Sequence, residues 1–503
     1  MKGIMIQGTS SDAGKSFLAT IFCRLLSKEG VKVAPFKSQN MSNNSYVTRD
    51  GFEIGRAQGI QAEAANTEAS PYMNPILLKP TSQQSSEVIL FGRPLATLSG
   101  MAYRETFYEK GLDAIQMALG KLRETYQAVV IEGAGSPVEI NLKKRELVNM
   151  KVAELADVPV LLVSDIERGG VFASIVGTLE LMDPLERARV KGLLINKFRG
   201  DIRLFEDGVA WLEKRTGLPV LGVIPFMESH MIEAEDSLSL NGRFMSQPGK
   251  ALDIAIIKLP YISNYTDFEP LLFEDDVSVR WVDSGDSLDN PDCVIIPGTK
   301  STIHDLRQLK QLGLDYAIRN YYHNGGRILG VCGGYQMLCA ELVDEHGTDT
   351  GLPGSVEDGL SLIPARTMFS REKTTVRTKG EFHNTNDREP IPVQGYEIHL
   401  GYSEWKDEPS GKAFLRLEGG NAEGYYSENG RLIGTYIHHL FHNDEWRTFW
   451  LNQLRRKKQL PEQQAVSSGD KRSTRFDSVA EEIRPHLQWE KIKTIMEEWS
   501  PKT

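Results

Sequence analysis

The sequence predicts an α/β protein in which a parallel-sheet domain is followed by a second α/β domain, and two observations carry this prediction. Short apolar runs bounded by turns alternate with longer, periodic helical segments, and the alternation fades near Pro225 and restarts near Leu252. Each half also contains a glycine-rich turn between an apolar run and a helical segment, at 8–16 and at 330–336. Parallel strands covered by helices on both faces produce this pattern.

The length of the chain implies more than one domain, because 503 residues exceed what a single hydrophobic core usually organises. We expect a first domain at 1–228, a polar linker at 229–250 with Asn-Gly and Pro-Gly turns, a second domain at 251–446 and a charged, helical tail at 447–503. A β-rich, polar insertion between Asp344 and Glu397 is expected at one edge of the second sheet.

The first glycine-rich turn has the placement of a phosphate-binding loop. The sequence GTSSDAGKS, residues 8–16, follows an apolar run and precedes a helical pattern. Gly8 and Gly14 let backbone amides face phosphate oxygens at a helix N-terminus, although their spacing is one residue longer than in the standard loop. The loop, with Asp12 in its middle, is predicted to bind ATP. A glycine-rich turn with an incidental Gly-Lys-Ser is the alternative.

Three side chains would complete this site. Lys15 would reach the terminal phosphates, and the hydroxyl of Ser16 would hold a magnesium ion. Glu132 ends the apolar run 128–131 and is followed by glycines, the arrangement expected for a magnesium ligand that faces the phosphate loop. The alternative for Glu132 is a surface carboxylate before a turn.

Other polar residues follow neighbouring apolar runs of the first half. Lys37, at the end of the second run, would neutralise charge on a transferred phosphoryl group. Either Asp50 or Glu53 is expected as a further metal ligand, and the sequence does not decide between them. Asn196, just beyond another strand, either contacts adenine or caps a turn.

The second glycine-rich turn has the form of a nucleophile elbow with cysteine in the position of serine. GVCGGYQ, residues 330–336, joins an apolar run to a helical pattern, so the sulfur of Cys332 is presented at a helix N-terminus that favours thiolate. Backbone amides near Gly298 and Gly333 are the expected oxyanion donors. The other cysteines are expected to be buried and structural: Cys23, Cys293 and Cys339.

A cysteine nucleophile needs a base, and His438 is preferred among ten histidines. It ends a β-type run at 431–437, and catalytic groups in α/β sheets collect at strand ends. Its neighbour His439 is the less favoured choice, and His399 is the fallback.

The order of cysteine and histidine resembles that of class I glutamine amidotransferases, whose nucleophile motif GxCxGxQ matches Cys332. In most members a glutamate two residues after the histidine orients it, but here that position holds Leu440. The resemblance therefore narrows to the branch that works with a cysteine–histidine dyad. Four further stretches resemble the cobyric acid synthase family, and the similarity runs from Met1 to about Trp450: DIERGGVFA at 165–173, LINKFRGD at 194–201, ISNYTDFEPL at 262–271 and PGTKST at 297–302. The EGAG at 132–135 and Asn196 resemble metal- and adenine-binding positions of dethiobiotin synthetases.

This resemblance implies ATP- and glutamine-dependent amidation of the b, d, e and g carboxylates of adenosylcobyrinic acid a,c-diamide, with Mg²⁺ and without a permanently bound cofactor. The related cobyrinic acid a,c-diamide synthases are the runner-up, and the stretches at 165–173 and 262–271 argue against them. A nucleotide-driven partitioning or regulatory ATPase is a third interpretation, in which Cys332 would have no function.

The composition agrees with a cytoplasmic enzyme that acts on small molecules. A net charge of −10 argues against nucleic-acid binding, and four scattered cysteines argue for a reducing compartment. No apolar stretch has the length of a membrane helix. Anionic ATP and corrinoid would be attracted by local cations such as Arg168 and Arg199, whereas Lys79 is expected to be a solvated surface charge. The sequence does not indicate an oligomeric state.

Overall fold

The computed structural model describes residues 1–82, 84–227, 244–383, 389–405, 411–465 and 468–500. The predicted α/β class is confirmed in both halves, which we define as β1 to β12 and β13 to α12 in the numbering below. Most of the predicted linker at 229–250, including its Asn-Gly turn, lies outside the described residues.

The elements of the first half alternate between strand and helix as the apolar runs predict. In chain order they are β1 (Lys2–Gly8), α1 (Lys15–Lys28), β2 (Val33–Phe36), β3 (Gln39–Met41), β4 (Ser45–Val47), β5 (Glu53–Gly55), α2 (Arg56–Ala64), β6 (Ile76–Pro80), β7 (Ser85–Leu90), β8 (Arg93–Ser99), α3 (Gly100–Thr106), α4 (Tyr108–Thr125), β9 (Ala128–Glu132), α5 (Met150–Ala156), β10 (Val160–Asp165), α6 (Val171–Leu181), α7 (Pro184–Arg189), β11 (Val190–Phe198), α8 (Glu206–Thr216) and β12 (Val220–Pro225).

The central sheet of the first half has the strand order β12-β11-β10-β1-β9-β2, and all of its pairs are parallel. Its inner strands are buried almost along their whole length, as expected for a sheet covered by helices on both faces. Because β1 and β9 are neighbours, with Ile6 opposite Glu132, the loop after β1 and the carboxylate at the end of β9 lie together.

The elements of the second half and of the C-terminus follow in the same order. They are β13 (Leu252–Ile257), β14 (Val277–Val282), β15 (Cys293–Ile296), α9 (Thr302–Gln311), α10 (Leu314–His323), β16 (Ile328–Val331), α11 (Gly333–Leu338), β17 (Cys339–Asp344), β18 (Ser355–Asp358), β19 (Ile363–Phe382), β20 (Ile391–Trp405), β21 (Gly411–Lys412), β22 (Leu415–Leu417), β23 (Ala422–Glu423), β24 (Tyr425–Ser427), β25 (Leu432–Thr435), β26 (Ile437–His438), α12 (Asp444–Lys457), α13 (Ser468–Ile483) and α14 (Trp489–Glu498).

The second half contains two sheets, which differs from the single sheet with an edge insertion that the sequence suggested. The main sheet, β14-β13-β15-β16-β25-β24-β21, is parallel through its first five strands. The insertion forms a separate sheet around the long antiparallel pair β19 and β20. The short strand β26 joins this second sheet, with His438 opposite Tyr396. The insertion therefore supports the strand that carries the predicted base.

The C-terminal helices return to the first half and pack on α1. The ring of Trp489 contacts that of Phe22 at 5.2 Å between centroids, and Arg24 binds Asp477 at 2.8 Å. The end of the chain, α13 and α14, thus packs beside the helix that follows the phosphate loop. None of the helices in the described ranges is long and apolar enough to cross a membrane.

Candidate active sites

The phosphate loop connects the end of β1 to α1 in the left-handed conformation that glycine favours. Gly14 has φ +101°, and a Cβ at this position would come within 1.9 Å of the Asn196 amide nitrogen. That nitrogen donates a hydrogen bond to the Ala13 carbonyl at 2.9 Å, so Asn196 braces the loop backbone. Asp12, in the loop, has φ +58° and binds Arg168 at 3.2 Å.

The charged side chains of this site bind one another or nearby carbonyls. Lys15 is 7% exposed, and its ammonium donates to the carbonyls of Ser10 at 2.8 Å and Gly135 at 3.2 Å. The two carbonyls accept hydrogen bonds from the Lys15 ammonium. A phosphate would accept these bonds more strongly, because a bond between two charged groups is stronger than a bond to a neutral acceptor.

Glu132 is the centre of the candidate metal site. Its Oε1 accepts hydrogen bonds from Ser16 Oγ at 2.7 Å and from Lys37 Nζ at 2.9 Å. Its Oε2 accepts a bond from Gln61 Nε2 at 2.6 Å. A hydroxyl and a carboxylate oxygen in contact are the hard donors that Mg²⁺ prefers, and Mg²⁺ is commonly held by few protein oxygens together with phosphates and water. Ser16 and Glu132 therefore fit the predicted ion.

The two alternatives for the further metal ligand have different surroundings. Asp50 is exposed, whereas Glu53 is fully buried and binds Lys79 at 2.6 Å and Lys373 at 2.7 Å. Burial favours the neutral acid, but the two ammonium groups outweigh it and lower the pKa of Glu53. A cation at Glu53 would be repelled by both lysines. Lys79 is only 3% exposed, so its expected role as a solvated charge is wrong.

Arg199, named with Arg168 as a source of attraction for anions, directly follows the last residue of β11. It binds Glu167 at 3.1 Å, and its guanidinium lies over the Phe226 ring at 3.3 Å from the centroid. Arg168 contacts the phosphate loop through Asp12.

Cys332 occupies a strained turn between β16 and α11. Its φ of 50° and ψ of −109° are unusual for a residue with a side chain, as expected for a nucleophile elbow. The turn needs small neighbours, because a Cβ at Gly334 would lie 2.0 Å from the Ile296 carbonyl oxygen. Gly333 begins α11 directly after the nucleophile, and Gly298 adjoins the His438 ring. Both predicted oxyanion positions thus border the sulfur or the base.

The Cys332 thiol donates to the Ile398 carbonyl at 3.5 Å, and the buried His438 is hydrogen-bonded to Asp267. Its Nδ1 lies 2.7 Å from Asp267 Oδ2, and its ring also interacts with the Cys332 thiol. Burial opposes protonation of the ring, but the Asp267 carboxylate and the Cys332 contact outweigh it and raise the pKa of His438 to about 10. The arrangement favours an imidazolium beside the sulfur.

Asp267 is the functional residue that the sequence reasoning missed. It lies in a 3₁₀ segment, Tyr265–Phe273, and occupies the orienting role that the glutamate after the histidine has in most class I enzymes. Its second oxygen accepts the backbone N–H of His439 at 3.1 Å, which fixes the carboxylate. The expected cysteine–histidine dyad is thus accompanied by a carboxylate that contacts the base. The only signal in the sequence was an acidic residue within the stretch at 262–271.

The two other candidate bases have different surroundings. His439 has φ +66°, its ring stacks on His442 at 4.2 Å, and burial together with Arg56 lowers its pKa strongly. His399 binds Glu397 at 3.1 Å and the Gly401 carbonyl at 2.8 Å. Of these three histidines, His438 is the one placed against the nucleophile.

The remaining cysteines are all buried, and burial raises their pKa values, that of Cys293 to about 12. In the described residues no cluster of three or more His, Cys, Asp or Glu is placed to hold a metal.

Two family models match the two halves. The model described as a CobQ/CobB/MinD/ParA nucleotide binding domain matches residues 4–239, and that of a CobB/CobQ-like glutamine amidotransferase domain matches residues 253–446. The chain is 48% identical to a cobyric acid synthase from Geobacillus kaustophilus, covering 99% of this chain and 98% of the relative. Proteins with that name from Desulforamulus reducens and Acaryochloris marina are 46% and 45% identical, over 98% and 97% of this chain and 98% of each relative.

Proposed function

The chain belongs to the cobyric acid synthase family, and we propose on this premise that it converts adenosylcobyrinic acid a,c-diamide to adenosylcobyric acid by amidating the b, d, e and g carboxylates. The observation that carries the proposal is the presence in one chain of a phosphate site at Lys15, Ser16 and Glu132 and a thiol site at Cys332, His438 and Asp267. Domains at 1–228 and 251–446, joined by a linker and followed by a tail at 447–503, form part of this proposal, as does a cytoplasmic location.

The first half would activate the corrinoid carboxylate. A carboxylate does not react with ammonia at neutral pH, since it lacks a good leaving group. Transfer of the γ-phosphoryl group of ATP to the carboxylate forms an acyl phosphate and releases ADP, and phosphate then leaves when ammonia attacks. Lys15 and Lys37 stabilise the charge of the transferred group, while Mg²⁺ held by Ser16 and Glu132 would supply additional charge neutralisation.

The second half would generate the ammonia. The Cys332 thiolate attacks the side-chain amide of glutamine, and amides near Gly298 and Gly333 stabilise the oxyanion. His438 protonates the amide nitrogen, which leaves as ammonia, and a thioester remains on Cys332. Water, with His438 as the base, then hydrolyses this thioester to glutamate. Asp267 keeps the proton-carrying Nε2 of His438 directed at the sulfur and stabilises the imidazolium.

Mass spectrometry of the products tests this function. Purified protein with MgATP, glutamine and the a,c-diamide is expected to give successive products in which an amino group replaces a carboxyl hydroxyl, ending at the hexaamide. Protein that instead uses unamidated cobyrinic acid and stops at two amides would belong with the a,c-diamide synthases. Glutamine-dependent ADP release that does not require a corrinoid would contradict both assignments.

A further inference from the structure

Asn264 lies between the two halves and beside the predicted base. It directly precedes the 3₁₀ segment that carries Asp267, and its side chain is 2% exposed. Its Oδ1 accepts the backbone N–H of Ser45 in β4 at 2.8 Å. Its Nδ2 lies 3.4 Å from His438 Nε2. One side chain therefore joins a strand of the first half to the catalytic ring of the second.

The hydrogen-bond partners fix the direction of the Asn264 amide. A backbone N–H can only donate, so the amide oxygen faces Ser45 and the amide N–H faces His438. Asp267 occupies Nδ1 of the ring, which leaves Nε2 as the atom that exchanges a proton with Cys332. The Asn264 N–H competes with the thiol for the lone pair of a neutral ring and opposes the N–H of a charged ring. Both effects disfavour the transfer of the Cys332 proton to His438.

Ser45 is held by a second residue that touches the base. The Tyr396 hydroxyl donates to the Ser45 carbonyl at 3.1 Å, and the Tyr396 ring stacks on the His438 ring with centroids 5.3 Å apart. The hydroxyl of Ser45 contacts Lys79 at 2.7 Å and Glu53 at 2.6 Å. Both backbone polar groups of Ser45 are thus bound by neighbours of His438, so a movement of β4 is transmitted to the base.

The same strand is linked to the phosphate site. β4 pairs with β5, Ser45 opposite Gly55, and β5 continues directly into α2. Gln61 on α2 donates to Glu132 at 2.6 Å, the residue that also binds Ser16 and Lys37. When Glu132 turns to a magnesium ion and phosphate, this contact changes, and α2 and β4 connect that change to Asn264.

We propose that Asn264 is a positioning residue through which the first half restrains His438 until the phosphate site is occupied. The proposal rests on the proposed function, since only an enzyme that uses ammonia elsewhere gains from restraining glutamine hydrolysis. In the idle protein the Asn264 N–H is directed at Nε2, and occupation of the phosphate site withdraws it. Glutamine is then hydrolysed at full rate only when an activated carboxylate is available.

Asn264→Gly is the most direct test, because Asn264 has φ +52° and glycine accepts this backbone conformation without strain. The measurement is glutamate release with glutamine alone, with MgATP added, and with MgATP and the a,c-diamide. We expect the idle rate to rise about fivefold, the effect of one lost hydrogen bond, while the stimulated rate stays near that of the wild type. A merely structural defect lowers both rates together and leaves their ratio unchanged.

Two tyrosines provide a matched pair: Tyr396 of β20 bonds to Ser45 of β4, and Tyr46 belongs to β4 itself. Tyr396→Phe removes the bond to Ser45 and keeps the ring on His438, whereas Tyr46→Phe removes a bond between Tyr46 and Arg377 that links the halves without touching His438. We expect Tyr396→Phe to reduce the stimulation ratio and Tyr46→Phe to leave it unchanged. Amidation from ammonium salt shows whether Asn264→Gly is folded. If it is not, the two tyrosine variants still decide the proposal.

An idle rate in folded Asn264→Gly at or below that of the wild type would overturn the proposal, and so would equal effects of the two tyrosine variants. The ratio of glutamate release with and without MgATP is measured independently of corrinoid products. A wild-type protein that amidates no corrinoid would therefore refute the proposed function and not the restraint by Asn264.

Discussion

The two catalytic sites differ in how their side chains are held before substrates bind. In the thiol site, His438 is already hydrogen-bonded to Asp267, and Cys332 lies beside its ring. In the phosphate site, Ser16 and Lys37 bind Glu132, so these groups satisfy one another and not a ligand. The thiol site is preassembled, whereas the phosphate site must exchange partners when ATP and magnesium arrive.

The difference follows from charge. The phosphate site gathers side chains that would meet a highly charged ligand, and buried charges without a partner are very unfavourable, so Lys37 and Glu132 are paired. The thiol site acts on the uncharged side-chain amide of glutamine, and its catalytic groups need no such exchange. Its single buried carboxylate is already matched by an imidazole that it helps to protonate.

Cys332→Ala gives the largest effect if the two sites perform separate chemistry. The variant lacks the nucleophile for glutamine, so glutamine hydrolysis is expected to fall by about 10⁴-fold or more. Amidation should return with a high concentration of ammonium salt at alkaline pH, because the phosphate site is intact. Assaying both nitrogen sources on one preparation tests the separation. Glutamine-dependent synthesis at the wild-type rate would break it.

Lys15→Ala should have the opposite pattern. Loss of the ammonium that steadies the terminal phosphates is expected to reduce amidation by about 10³-fold with either nitrogen source. Glutamine hydrolysis should persist at the idle rate, because the thiol site is preassembled. ADP release and glutamate release are measured in parallel. A variant that loses glutamine hydrolysis completely, although folded, would show that the thiol site is not assembled independently.

Asp267→Asn tests how much of the preassembly depends on one carboxylate. The backbone N–H of His439 requires an oxygen, so the new amide would turn its nitrogen toward His438 Nδ1 and favour the wrong ring tautomer. We expect kcat/KM for glutamine hydrolysis to fall by about 10²-fold, with ammonium-driven amidation unchanged.

The pH dependence of this variant provides a second measurement. The charge of Asp267 contributes to the raised pKa of His438, about 10, so its loss lowers that pKa. The protonated ring then disappears at lower pH, and the alkaline limb of glutamine hydrolysis should move to lower pH in Asp267→Asn. An unchanged limb would mean that His438 does not govern it.

The sequence predicted the parts of each site that are close along the chain and missed those that only the fold brings together. Cys332 could be recognised because an elbow is a local pattern, and Glu132 because neighbouring parallel strands end at one edge. Asp267 is 171 residues from His438, in an irregular segment without periodicity, so no local pattern marks it. The burial of Lys79 depends on Lys373 and Glu53, which lie on different strands, and a lone lysine in a sequence is usually a surface residue.

Glu423→Gln tests whether preassembly has a cost in stability. Glu423 supports the strand end before His438, where it accepts the Tyr436 N–H at 2.6 Å and the Thr435 hydroxyl at 2.9 Å. Burial raises the pKa of Glu423 to about 8, with the Tyr436 N–H acting against the shift.

An unfolded glutamate titrates near 4.3, so between about pH 4.3 and 8 the folded protein retains a proton that the unfolded chain releases. The free energy of unfolding therefore falls as pH rises through this window, and glutamine, which does not titrate, removes that slope. We expect Glu423→Gln to gain about 3.5 kcal/mol relative to the wild type between pH 5 and pH 8, measured by urea denaturation at both values. Equal differences at the two pH values would mean that Glu423 is ionised in the folded protein, and the thiol site would then be assembled without this cost.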